Sequence, residues 1–312
     1  MSSKTTLAAV TCAALILSGC SSWTEPQLDV DQRLVGDVTW ENSGPNTKLQ
    51  FKAPLAVAYP TVNFIEPGSG EAVAPGDVVV FEVSVFDGQD GSLVSSSYEK
   101  GHPEKLYLAR AAAEPLFLEA LLSCLIGSQF VYVTPARLDE AEIPANLTAP
   151  PTKAQPGSVM AVEVVGVEHV LEQVDGEEVA AVPGLPLIDF ETDISEPSVT
   201  LPEGKPITEL TVQPIIKGNG PEVRGDGTMI GRYVGWLWED GGMFDSIWSD
   251  PDPSVFDLAE TIQGWSEGLA GVKVGSRVLL IVPPALAYGG VGSGPVPPGA
   301  TLIFAVDVLG AY

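Results

Sequence analysis

Residues 262–282 read IQGWSEGLAGVKVGSRVLLIV, and this stretch decides the fold class. Ile262, Trp265, Leu269 and Val272 recur at spacings of three, four and three, so they share one face of a short helix that ends near Gly271 or Gly275. Arg277 to Val282 then runs as a strand, apolar from Val278 onward and stopped by Pro283. Outward from it, strands read at Met229 to Trp238 and Thr301 to Leu309. Farther upstream they read at Val78 to Phe86, which ends at the turn pair Asp87-Gly88, and at Val159 to Val167. One short helix among several strands is an α+β pattern.

The chain also repeats itself. Gly76-Asp77 precedes a strand as Gly225-Asp226 does, and Asp90 to Ser96 matches Asp240 to Ser246 at an offset of 150. Phe117 to Leu121 parallels Trp265 to Leu269, and Ile126 to Gln129 parallels Val274 to Arg277. A tandem duplication is expected. Its organisation reads as a leader at 1–20, a polar tether at 21–30, a first unit at 31–170, an acidic linker at 171–195 and a second unit at 196–312.

With 15 Lys+Arg against 41 Asp+Glu, the formal net charge is -26, which repels phosphate and argues against nucleic-acid binding. The simplest reading of this acidity is solubility. His102 and His169 are the only histidines and both precede the second unit, so a histidine zinc site or a Ser-His-Asp triad there is excluded. Gly68-Ser69-Gly70 lacks a following Lys-Ser/Thr and reads as a turn. No cofactor and no metal are expected.

Lys4 followed by the apolar run Leu7 to Leu17, too short to span a bilayer, reads as a secretory leader. The Leu17-Ser18-Gly19-Cys20 that follows resembles a bacterial lipobox. The resemblance implies acylation of Cys20 and a lipid-anchored protein on the extracytoplasmic face of the cell membrane. The alternative is an ordinary cleaved leader; either takes the protein out of the cytoplasm. Cys124, in an apolar run, reads as a buried residue.

Six motifs follow one another in the second unit: Arg232 to Gly235, Phe244-Asp245-Ser246, Ile262 to Trp265, Gly271 to Gly275, Pro283 to Gly289 and Pro297 to Leu302. This succession, over about 100 residues, resembles the FKBP family of peptidyl-prolyl cis/trans isomerases. The resemblance implies a twisted antiparallel sheet wrapped around a short helix, here in two tandem copies. It also implies a pocket with Trp265 as its floor, walls from Tyr233, Phe244, Phe256, Ile262, Tyr288 and Phe304, and Val296 at the rim. Tyr233, Asp245, Trp265 and Tyr288 would be the catalytic set, with Tyr288 donating to a substrate carbonyl and Asp245 orienting Tyr233.

The implied partners are proline-containing segments of exported proteins and rapamycin-like macrolides. Two departures from the family pattern, Ser254 where an aromatic is usual and the Gly290, Gly292, Gly294 loop, point to altered substrate preference rather than loss of activity. A non-catalytic proline-peptide-binding or chaperone module on the same scaffold is the alternative.

In the first unit the offsets put Val83 at Tyr233, Val94 at Phe244, Ser95 at Asp245 and Phe117 at Trp265. The residues after Pro135, Ala136 to Glu142, contain no Ala-Tyr-Gly. The first unit therefore reads as a degenerate copy without the pocket's polar groups, either a docking surface for unfolded chains or a partner, or a spacer.

Overall fold

The structure is a computed structural model that describes residues 25–110, 113–136, 154–192 and 195–312. The leader, Cys20 and the segment Arg137 to Glu142 lie outside the described residues. In the first unit the strands are β1 (Thr61–Pro67), β2 (Asp77–Asp87), β3 (Leu93–Ser96), β4 (Glu104–Tyr107), β5 (Ser128–Thr134) and β6 (Ser158–His169). They form an antiparallel sheet in the order β1-β5-β6-β2-β3, with β4 also on β2.

The second unit contains β7 (Gly176–Glu178), β8 (Thr211–Gly218), β9 (Thr228–Leu237), β10 (Met243–Ser246), β11 (Ser254–Asp257), β12 (Arg277–Val282) and β13 (Leu302–Ala311). Its order is β7-β8-β12-β13-β9-β10, with β11 on β9. Apart from the extra edge strand β7, the two topologies are the same. Their registers agree as well. Val85 faces Ser95 as Gly235 faces Asp245, and Val78 faces Tyr107 as Thr228 faces Asp257. Gly127 and Gly275 both adopt positive φ, at 91° and 92°, and donate to Val164 O and Val308 O at 2.8 Å.

Apart from the Arg277–Asp307 pair, β12 and β13 are apolar on both faces because both faces are covered. One face holds the helix Gln263–Gly268, whose Trp265, with Leu269 just past its end, joins Leu280, Phe304 and Val306 in one core. The helix is shorter than its apolar stripe. It stops at Gly268, and Gly271, at φ 79°, turns the chain so that its N–H donates to Val223 O. Val272 packs from beyond the helix end.

The other face of the sheet corrects the expected linker. Residues 176–178 add β7 to the sheet, and a hairpin of Leu187–Asp189 against Ser198–Thr200 follows. Leu185, Ile188, Phe190, Val199 and Leu201 pack on Val234, Trp236, Leu279, Ile281 and Ile303. An acidic composition hid a spaced apolar set that this sheet face needs. The first unit has the matching cover, a hairpin of Thr39–Glu41 against Lys48–Gln50, with Trp40, Leu49 and Phe51 on Val131, Val133, Val159 and Ala161. The offsets between the covers are again 148 to 150. Phe51 approaches the position where a Cβ on Gly91 would lie, as Leu201 does at Gly241, at 3.6 Å in both cases. The duplicated unit therefore includes its cover.

The tether expected at 21–30 also differs in its described part, because the helix Glu25–Gly36 begins within it. That helix is pinned by Asp31, fully buried, whose Oδ2 accepts from Ala58 N at 2.9 Å and Tyr59 N at 3.1 Å. The units meet where Ile230, fully buried, packs on Val78 and Tyr107. Among the described residues no helix is long and apolar enough to cross a membrane.

Candidate active site

The pocket of the second unit lies between the helix and the concave side of the sheet, a cavity of about 360 Å³. Trp265 is held by the first turn of the helix, close against the sheet. A Cβ on Gly264 would stand 2.3 Å from Val282 Cγ1, and one on Gly268 would stand 2.5 Å from Leu280 Cδ1. Only glycine at these positions lets the helix approach so near. Three rings stand around the indole: Tyr233 at 5.1 Å and 89°, Phe256 at 5.2 Å, and Phe304 at 5.5 Å and 85°. Phe244 meets Phe304 edge-on at 5.6 Å, and it too depends on a glycine, since a Cβ on Gly235 would lie 2.6 Å from Phe244 Cζ. Edge-to-face packing of this kind fixes ring orientation as well as position.

Tyr233 and Asp245 come from the adjacent strands β9 and β10, and the phenol donates to Asp245 Oδ2. Burial first, and then this hydrogen bond, push the Tyr233 phenol above its ordinary value. Tyr288 sits after the turn Pro284–Leu286 and is 38% exposed at the mouth. Its hydroxyl makes no hydrogen bond among the described residues, so it can donate to an incoming carbonyl. Ile262 caps the helix and closes the wall.

The structure thus brings together Tyr233, Phe244, Asp245, Phe256, Ile262, Trp265, Tyr288 and Phe304. Val296 is different. It is only 5% exposed and belongs to the core below the pocket, because it exchanges backbone hydrogen bonds with Ser293 that turn its side chain inward. Glu260 and Thr261 take part in the lining, unanticipated from sequence, and Ser254 does not reach it.

Residues 220–309 match the family model described as FKBP-type peptidyl-prolyl cis-trans isomerase. A probable FK506-binding protein of Corynebacterium glutamicum is 42% identical over 118 residues, which are 38% of this chain and 100% of that protein. The chain belongs to the FKBP-type peptidyl-prolyl cis-trans isomerases. The isomerase is also 40% identical over 120 residues to an FK506-binding protein of Streptomyces anulatus, covering 97% of it. The Escherichia coli isomerase FkpA is 38% identical over 102 residues, 37% of its length. Its crystal structure aligns with 34% of this isomerase and 50% of that chain at a TM-score of 0.32.

The first unit of the isomerase keeps a cavity at the equivalent place, and a larger one, about 690 Å³. Where the second helix has Gly264 and Gly268, the first has Leu116 and Ala120, both packed into the core of their unit. Val83 and Phe117 line this cavity in place of Tyr233 and Trp265, with Met160 at the register of Phe304, while Val94 points to solvent, 64% exposed. The groups matching Tyr233 and Asp245 are absent, as expected, but two other polar groups stand at this cavity. Glu114 caps the helix Pro115–Leu122 from the N-cap position that Ile262 holds without a side-chain bond in the second unit, and its Oε2 accepts from Phe117 N at 3.2 Å and from the Tyr132 hydroxyl at 2.5 Å. Both residues line the cavity.

Proposed function

We propose that the second unit isomerises prolyl bonds of exported proteins from a lipid anchor at Cys20 on the extracytoplasmic face of the cell membrane. The observation that carries the catalytic part is the aromatic box around Trp265, edged by the Tyr233–Asp245 hydrogen bond and the unengaged Tyr288 hydroxyl.

Rotation about a prolyl bond must cross a barrier of about 18–20 kcal/mol that amide resonance imposes. No covalent bond breaks, so the protein has only to favour the twisted amide over the planar one. The planar amide is the more dipolar, and its removal from water among Trp265, Phe256 and Phe304 disfavours it relative to the twisted state. Tyr288 holds the substrate carbonyl. Asp245 fixes the Tyr233 ring against the indole. A barrier lowered by about 5 kcal/mol gives acceleration on the order of several thousand-fold.

Support for the anchor is the apolar run Leu7 to Leu17 followed by Leu17-Ser18-Gly19-Cys20. The test of catalysis is the cis-to-trans rate of a short Xaa-Pro peptide with the full chain, beside Tyr288→Phe and Asp245→Ala. A fall in both variants supports the reading; a wild-type rate equal to buffer, from folded protein, overturns it in favour of a binding module. The test of the anchor is the intact mass and membrane fractionation of Cys20→Ala beside wild type. An unchanged distribution removes the anchor.

A further inference from the structure

We propose that the cavity of the first unit is a second peptide site, for unfolded segments that present a bulky apolar side chain next to a Lys or Arg. Its walls are the apolar faces of Phe81, Val83, Phe117 and Met160, and among the described residues Glu114 is the one charged side chain of its lining. Two donors, Phe117 N and the Tyr132 hydroxyl, both engage Oε2, which holds the carboxylate in place. Oε1 has no partner among the described residues, and Glu114 is exposed at the cavity.

An apolar chamber with one oriented carboxylate at its edge selects an apolar group that has a cation beside it. The net charge of -26 draws cationic segments toward the chain from a distance. A polypeptide occupant rests on the isomerase reading, since this cavity stands in the first copy where the prolyl pocket stands in the second. With Val83 and Ser95 in place of Tyr233 and Asp245, the site holds a chain without isomerising it.

The test uses the full chain and fluorescent, proline-free peptides that differ only in the residue after a single Leu, which is Lys, Gln or Glu. Anisotropy is expected to show the Lys peptide binding about tenfold tighter than the Gln peptide, with the difference shrinking in high salt. Glu114→Gln, which keeps an acceptor for the helix cap, is expected to erase the preference. Val83→Trp, which fills the chamber, is expected to erase binding, with prolyl turnover unchanged in both variants. Equal binding of the Lys and Gln peptides to wild type overturns the proposal, as does a preference that survives Glu114→Gln or binding that survives Val83→Trp. Absence of prolyl turnover with peptide selectivity intact counts against the isomerase reading alone.

Discussion

Arg277 and Asp307 face each other on β12 and β13 and join through two hydrogen bonds, Nε to Oδ1 at 2.6 Å and Nη2 to Oδ2 at 2.9 Å. Both side chains are buried, at 4% and 5% exposure, and the guanidinium lies under the Phe190 ring at 4.1 Å. A charge left alone there has no water to turn to. Asp307→Ala is expected to destabilise the full chain by about 3–5 kcal/mol in denaturant unfolding. A loss within that of an ordinary surface substitution would show that the pair is solvated.

Gly264→Ala places a methyl 2.3 Å from Val282 Cγ1. The helix must lift, at a cost of about 1–3 kcal/mol, and the Trp265 floor moves with it. Unfolding midpoints and prolyl turnover are both expected to fall, whereas Leu116→Ala in the first unit leaves turnover as it was.

Tyr233→Phe removes the donor to Asp245 and keeps the ring. Turnover of an Xaa-Pro peptide is expected to drop by roughly twofold to tenfold, the worth of one hydrogen bond. Because the folded phenol titrates above its unfolded value of about 10, its contribution to stability is complete below that pH and fades above it. The wild type is therefore expected to lose stability above pH about 10 more steeply than Tyr233→Phe, read from unfolding midpoints.

Much of the second unit was legible because its signals are long or numerous. Val278 to Val282 is apolar throughout, and the pocket residues fall within motifs whose order carries more information than any one of them. What stayed hidden had little local signal. The cover hairpins are strands of three residues, Thr39–Glu41 and Leu187–Asp189 among them, whose apolar positions have meaning only once a sheet face is present to receive them. Val296, flanked by Pro295 and Pro297, reads as a loop residue until its backbone bonds to Ser293 turn it inward. Glu114 and Tyr132 are 18 residues apart and became one feature only when the helix cap met β5. The 148-residue offset that pairs Phe117 with Trp265 also pairs Glu114 with Ile262, and that was the available clue.

His169, at the end of β6, contacts Asp77 Oδ1 at 2.9 Å and Glu71 Oε1 at 3.1 Å. The hydrogen bond to Asp77, then that to Glu71, raises its pKa above the ordinary histidine value. A raised folded value stabilises fully below the unfolded pKa of about 6.5 and ceases to do so as pH rises through the folded one. The difference in melting temperature between wild type and His169→Gln is expected to be larger at pH about 6 than at pH about 8; a difference independent of pH would discount the ion pair.

The paired covers bear on descent. Since Trp40, Leu49 and Phe51 recur as Ile188, Val199 and Leu201 at nearly constant offsets, the ancestral gene that was copied already encoded a sealed sheet, not a bare catalytic fold. The two halves have since stayed alike in kind on the sealed side, apolar for apolar. The halves differ on the opposite side, where valine stands against tyrosine, serine against aspartate and glutamate against isoleucine.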